Sequence, residues 1–474
     1  MTNGDAAANG HGLLTTQAGV SHDLLEKHQG SSGLFKGAVA LFSVMFILGV
    51  VGFIIRVTDG VSDRAIWGYY AAVFAFILTT AQAAPMVAIA PRIAKAHWRR
   101  PVSRAAEMWT AVGLLNLLLF IPMLWILPDL KDGRRSFWFF GIEDSGVVNA
   151  FSPHIWATVA LVSLVIVGVA LLWVSSLPDL ALVRDHSTGW RQRWAARLAG
   201  QWNGTSRQWH ILDRRVGILG AFYFMMLVFV HFLISIDFAM ALIPGWIDAL
   251  YPITHAANAL QAGVATVLLT LFFLRKFGGY QDYITLDQMW GLGKLMFALS
   301  LLWFWFWFSS FIILWYGKKP NEEAVLELLM IGPYLPAMYA SFVMNFLVPF
   351  LTMIWNPLRK SVWGPPLIAT SVLAGTFFDR VRLYVAAYSV PGLGDPSVDK
   401  HELTVEQVEN MSAVMPGLPD VLIVAGAISG SILLYLLASR IIPVMNIWEQ
   451  KELLLYKIHK PFHRTEVMVL GKRE

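Results

Sequence analysis

The chain has 474 residues; 57% are hydrophobic, only 14% are charged, and the mean hydropathy is +0.58. A soluble domain carries about a quarter charged residues, so this composition excludes a water-soluble globule and describes a chain whose solvent is lipid. There is no cysteine, which excludes protein-held iron–sulfur clusters, haem attachment at CxxCH, zinc–thiolate sites, disulfides and cysteine nucleophiles. The net charge of +5 reads as a basic cytoplasmic rim of a membrane protein, not as a nucleic-acid surface.

The first stretch, Met1 to Ser32, is polar and rich in Gly, Ala and Ser. It lacks the basic-then-apolar build of a signal peptide and is expected to be a poorly ordered cytoplasmic tail that orders on partners. Apolar runs of about 20 residues, enough to cross the hydrocarbon core as a helix, then recur roughly ten times. They are Ala38–Ile55, Ile66–Ala90, Met108–Leu127, Ile155–Leu177, Val216–Ser235, Ile253–Leu274, Leu295–Tyr316, Gly332–Ile354, Leu367–Tyr388 and Val421–Leu437. The pattern predicts an all-α integral membrane protein. Its parts are a tail (1–36), a first helix (37–65), a first four-helix bundle (66–236), a second bundle (237–390), an outer loop with the last helix (391–439) and a C-terminal tail (440–474).

Lys and Arg orient the chain. They follow the even-numbered spans: Arg92 to Arg104 after the second, Arg184 to Arg215 after the fourth, Arg275 and Lys276 after the sixth, Arg359 and Lys360 after the eighth, Arg440 to Arg464 after the last. The alternate connections are acidic or mixed, with Asp129, Asp132, Glu143 and Asp144, then Glu322, Glu323 and Glu327, then Asp395, Asp399, Glu402, Glu406 and Glu409. By the positive-inside rule both termini are expected in the cytoplasm of a bacterial inner membrane. Trp67, Tyr69, Trp125, Trp315 and Tyr316 fit an interfacial aromatic belt. Met108-Trp109 and Met289-Trp290 open spans from the same face, a faint sign of a parallel repeat.

Polar groups at membrane depth are costly and mark function by default. Gln82 lies in a small-residue run ending at Pro85. His231, Asp237 and Asp248 flank the outer end of the fifth span, where a histidine and carboxylates suit a quinone oxygen and its protons. His255, Asn258 and Gln261 recur at helical spacing and share one face, which must point inward. Asp379 is expected to pair with Arg380 or Arg382, or to relay protons. Asn116 and Asn345 read as interhelical glue. The run Trp303 to Phe308 alternates Trp and Phe, wraps its helix and reads as packing. No GxSxG or HExxH motif is present.

Four central phrases are more specific: Leu177-Pro178-Asp179-Leu180 to Asp185, Trp202-Asn203-Gly204-Thr205 to His210, Ser235-Ile236-Asp237-Phe238-Ala239 to Trp246, and Arg275-Lys276-Phe277-Gly278-Gly279-Tyr280 to Thr285. In order and spacing they resemble the NrfD-like membrane subunits of respiratory oxidoreductases, and within these most nearly ActC, a quinol-oxidising membrane subunit of alternative complex III. The resemblance implies a helical subunit without haem or iron–sulfur cluster of its own. It would bind menaquinone or ubiquinone near the periplasmic face and exchange electrons with a periplasmic iron–sulfur subunit. A multihaem c-type cytochrome and a second NrfD-like membrane subunit would complete the complex, and proton translocation is proposed for some members.

Asp237 looks like the family's Asp-Phe-Ala aspartate, Trp98, Arg99, Arg104 and Glu107 match its cytoplasmic turn, and Asp179 and Arg184 match its Pro-Asp-Leu turn. The chain departs from the pattern where Gln82 replaces an intramembrane histidine, Ile236 a tryptophan and Ile247 a histidine. Gln82 hydrogen-bonds a carbonyl but does not take its proton. The expected roles are proton acceptance by Asp237 and His231, quinone binding by Gln82, His154, Asp237 and Asp248, and a proton pathway through His255, Gln261, Asp379 and Arg380. The alternatives are a structural or proton-conducting subunit without a quinone site, and a secondary transporter.

Overall fold

The computed structural model describes residues 16–60, 63–126, 153–390, 403–462 and 465–470; Pro153, His154, Asn321 and residues from 455 onward are described as backbone only. The acidic positions Asp129, Asp132, Glu143, Asp144, Asp395, Asp399 and Glu402 lie outside the described residues. Among the described residues eight helices are long and apolar enough to cross a membrane: Gly33–Asp59, His97–Ile126, Ile155–His186, Ser206–Leu242, Tyr251–Phe277, Leu286–Gly317, Leu335–Met353 and Leu418–Ile441. They occupy eight of the ten expected positions. The other two positions are also helical, and their own residues explain why they differ. The second is interrupted, with helices Gly68–Thr80 and Met86–Ile93 separated by turns. The ninth (Gly364–Arg380, continued through Val381–Val385) carries Asp379, Arg380 and Arg382.

Several helices start earlier than their apolar runs. The fifth begins at Ser206 because Thr205 and Gln208 form a capping box, the Gln208 amide N–H reaching the Thr205 hydroxyl at 3.3 Å and Gln208 Oε1 accepting from Thr205 N at 3.2 Å. The seventh begins at Leu286, where Gln288 Oε1 accepts from Thr285 N at 2.8 Å. These T-x-x-Q signals satisfy orphan N–H groups beyond the membrane core.

The second to fifth spans pack as one group and the sixth to ninth as another, joined where the sixth meets the second and fifth and where the ninth meets the second. The first and last spans pair with each other. Gly49 faces Gly426 so closely that a Cβ on Gly426 would stand 2.3 Å from Gly49 Cα, and one turn on Gly52 packs against Leu422 and Pro419. Small residues let helices approach in lipid, where no hydrophobic force drives them together.

The described part of the tail, from Thr16 on, is ordered where the sequence suggested little local order. Gln17–Gln29 is a helix with Thr16 accepting from Gly19 N, and it buries Val20, Leu24, Leu25 and His28. Its apolar residues recur at helical spacing and find a partner surface. Tyr283 donates to Asp23 at 2.7 Å, Gln29 reaches Ser187 at 3.1 Å, and Arg440 donates to the Gly30 carbonyl at 2.6 Å. The N-terminal helix, the basic connections and the start of the C-terminal segment therefore meet on one face. After the last span, helix Ile447–Tyr456 packs back onto that face and a short antiparallel hairpin follows, Lys457–Phe462 with Thr465–Leu470.

Candidate functional site

The polar residues gather in two clusters, one toward each end of the bundle. The outer cluster starts from two histidines. His231 lies seven residues before the end of the fifth helix at Phe238, about 10 Å of rise. His255 lies four residues into the sixth, which begins at Tyr251. The helices bring their rings to 5.2 Å between centroids, both fully buried. His231 Nδ1 is 2.8 Å from the Leu227 carbonyl, so Nδ1 carries the proton and donates. Its Nε2 has no hydrogen-bond partner among the described residues. His255 Nε2 lies 3.1 Å from the Tyr384 hydroxyl, while its Nδ1 is likewise without a partner among the described residues. Tyr251 packs edge-on to His255, and Trp246 packs on Tyr251 with centroids 4.5 Å apart.

One turn further along the sixth helix, the polar face continues inward as its periodicity requires. Asn258 Oδ1 accepts from Arg380 at 2.6 Å, and Asn258 Nδ2 contacts Gln261 and Thr376, each at 3.3 Å. Gln261 donates to Ser300 and to the Asn345 carbonyl, both at 2.8 Å. That carbonyl lies within a π-helical turn, Val343–Leu347. A second π turn, Val381–Val385, carries Arg382 and Tyr384. An extra residue in a turn re-aims side chains and loosens the carbonyl ladder, and such turns collect at functional sites. Asp379 is held by Arg382 at 2.8 Å and Arg380 at 3.3 Å. Two guanidiniums against one carboxylate leave this buried cluster with a net positive charge.

The structure does not bring all the expected site residues together. Asp237 is fully buried in the last turn of the fifth helix. Asp248 instead serves the chain turn: its Oδ1 accepts from Leu250 N at 2.8 Å and Tyr251 N at 3.2 Å, and its Oδ2 takes the Ser310 hydroxyl. His154 lies in the first turn of the fourth helix, its side chain outside the described residues. Gln82 sits deeper, in the break of the second helix. Tyr223 donates to its carbonyl at 2.6 Å, and Gly113 and Gly263 pack against the break. Tyr223 and His231 are eight residues apart on one helix, about 12 Å. Gln82 therefore belongs to a separate polar spot, and its side-chain amide has no hydrogen bond among the described residues. Asn116 is buried without the expected bridge among the described residues. Sequence reasoning missed Tyr251, Tyr384, Thr376 and Ser300. Tyr251 and Tyr384 stand four residues from His255 and Arg380, a helical neighbour spacing that would have flagged them.

The second cluster lies on the basic face. Arg104 Nη2 donates to the Ser175 carbonyl at 2.8 Å, to Asp179 Oδ2 at 3.1 Å and to Asn446 Oδ1. Glu107 accepts from Ser175 at 2.7 Å. Arg99 pairs with Glu449 at 2.7 Å, and Asp179 Oδ1 accepts from Trp448 N at 3.1 Å. Burial alone raises the Glu449 carboxyl, but Arg99 and Arg92 outweigh it and hold it below the usual carboxylate value. The network ties the third and fourth helices to the C-terminal helix.

Residues 57–392, which hold the buried polar chain and most of the ionic network on the basic face, fit the family described as polysulphide reductase, NrfD. The chain belongs to the NrfD family. NrfD proteins are membrane subunits of quinol and electron-acceptor oxidoreductase complexes; they interact with quinones and partner iron–sulfur proteins. The NrfD match spans the region from the end of the first helix to the end of the ninth, which contains both polar clusters except the contributions of Asn446, Trp448 and Glu449. No curated protein matches the chain in sequence.

Proposed function

We propose that this chain is the quinone-interacting membrane subunit of an alternative-complex-III-type quinol oxidoreductase in a bacterial inner membrane, with both termini cytoplasmic. The observation that carries this reading is the touching pair of buried histidines, His231 and His255, on the fifth and sixth helices, with Asp237 buried in the last turn of the fifth. A quinol that loses two electrons also loses two protons, and its site needs proton acceptors within reach of its oxygens. His231 Nε2 is the accepting atom, since Nδ1 already holds a proton for Leu227. Asp237 takes the second proton. His255, Tyr384, Asn258, Arg380 and Gln261 then form the path along which protons leave or are translocated. The electrons pass to a periplasmic iron–sulfur subunit and onward to a multihaem c-type cytochrome, with a second NrfD-like subunit alongside.

The test is quinol turnover by the purified complex. Asp237→Asn and His231→Gln keep shape and remove proton acceptance. Each is expected to slow quinol oxidation on the order of a hundredfold, the lower end for a general base, with assembly judged by retained partner subunits. Wild-type turnover in both variants overturns the assignment. A proton-conducting subunit without a quinone site is the second reading, favoured by Gln82, which accepts no proton and lies apart from the histidines. Absence of quinone from lipid extracts of the intact, active complex would select it.

A further inference from the structure

A cleft of about 1580 Å³ opens on the basic face between the second, fourth and fifth helices and the C-terminal helix. Four carboxylates line it: Glu107, Asp185, Asp213 and Glu452. Three of its six arginines and lysines are held close to carboxylates. Arg99 holds Glu449 at 2.7 Å, Arg100 faces Glu452 at 3.3 Å, and Arg184 holds Asp185 at 2.8 Å. Arg92 and Lys95 are held more loosely, Arg92 by the charge of Glu449 and by the Trp448 ring, whose centroid is 5.8 Å from its guanidinium carbon. The nearest carboxylates to Arg92, Glu449 and Asp213, stand at 3.8 and 3.9 Å, beyond hydrogen-bond reach, and Asp213 points largely to solvent. Arg92 Nη1 is buried with no hydrogen-bond partner among the described residues. Lys95 is exposed at the cleft edge and has no ion pair among the described residues. A buried guanidinium nitrogen left unpaired is costly, and an anionic oxygen is its natural complement.

Indoles and guanidiniums gather at the mouth of the cleft. Trp202, Trp209 and Trp448 form a chain of indoles there, with centroids 5.3 and 5.5 Å apart. Beside it runs the helix Gly189–Ala199, which exposes Trp190 and Trp194 under the guanidiniums of Arg191 and Arg197. Indoles and snorkelling arginines of this kind sit at the membrane–water boundary. Below the mouth the walls turn apolar, through Ile89, Leu171 and Val216. Gly217 leaves an open groove: a Cβ added there meets nothing within 4 Å.

The geometry points to a binding site for an anionic phospholipid, its phosphate on Arg92 and Lys95 and an acyl chain along the Val216–Gly217 groove. Basic pockets between transmembrane helices recognise anionic headgroups through the same charge complementarity. The lipid would brace the second and fifth helices, the two that carry Gln82 and His231.

The probe is the full chain, in its complex, moved into nanodiscs of phosphatidylcholine with or without phosphatidylglycerol. Phosphatidylglycerol should raise the melting temperature and remain bound in native mass spectrometry; phosphatidylcholine should do neither. Lys95→Glu should weaken phosphatidylglycerol retention about thirtyfold, as reversal of one basic charge beside an anionic headgroup implies, and Lys95→Arg should keep it. Gly217→Leu fills open space, so it should fold and yet lose the lipid. Equal retention of both lipids, or unchanged retention in both Lys95→Glu and Gly217→Leu, overturns the proposal. So does inorganic phosphate giving the full stabilisation in detergent, which would mark a free-anion site.

Discussion

Arg104→Met tests the ionic lock on the basic face. Arg104 is fully buried and its Nη2 holds Ser175, Asp179 and Asn446, with Nε 3.7 Å from Glu107. Methionine keeps most of the volume and removes the charge. Asp179 then retains only the Trp448 N–H at 3.1 Å among these contacts, and Glu107 the Ser175 hydroxyl at 2.7 Å. Removing one partner of a buried pair costs about 3–5 kcal/mol, because it strands the other, whereas replacing both by apolar groups is often close to neutral. Thermal unfolding in detergent should therefore show a large loss for Arg104→Met. Arg104→Met/Asp179→Leu should recover part of it, and adding Glu107→Gln should recover more. Proteolysis within Ile447–Tyr456 should accelerate in the single variant, since Asn446 and Trp448 anchor that helix. Wild-type melting of Arg104→Met would refute the reasoning, as would a double variant whose loss equals the sum of the two single losses.

Tyr384→Phe removes the hydroxyl that meets His255 Nε2; the expected cost is about 1–3 kcal/mol for a buried imidazole nitrogen that loses this partner, read by melting, together with a displaced pH profile of quinol turnover. Gly426→Leu drives a Cβ to within 2.3 Å of Gly49 Cα; the first helix should separate, seen as lost cross-linking between engineered cysteines on the first and last helices. His28 is buried, and burial, with Arg191 and Arg440 nearby, lowers its pKa to about 4. The unfolded chain, with a histidine pKa near ~6.5, binds the extra proton first. Stability from a neutral His28 is thus complete above that value and lost as pH falls toward 4. His28→Phe should flatten that acid limb of the melting curve, and an unchanged limb would show that His28 does not control it.

The polar face of the sixth helix was legible because His255, Asn258 and Gln261 follow the helix repeat, and all three are buried. The internal pairing of Asp379 with Arg380 and Arg382 was legible because a charge in lipid must find its partner nearby. The break at Ala81 to Pro85 was only half legible: Pro85 and the small residues marked a weak point, but the turns there depend on Tyr223, Gly113 and Gly263 from other helices. The role of Asp248 was hidden, since nothing in its neighbours revealed that Leu250 N, Tyr251 N and Ser310 would claim it.

Composition and local periodicity thus determined what depends on one helix at a time: a membrane solvent, a basic face, which residues turn inward, and the family resemblance. Tertiary structure alone decided which inward residues meet. It set His231 against His255, kept Gln82 about two turns away, and folded the C-terminal helix onto Arg104. The reason is geometric. A residue's face follows from 100° steps along its own backbone, whereas its neighbour across the bundle follows from how small residues, π turns and buried ion pairs let separate helices approach.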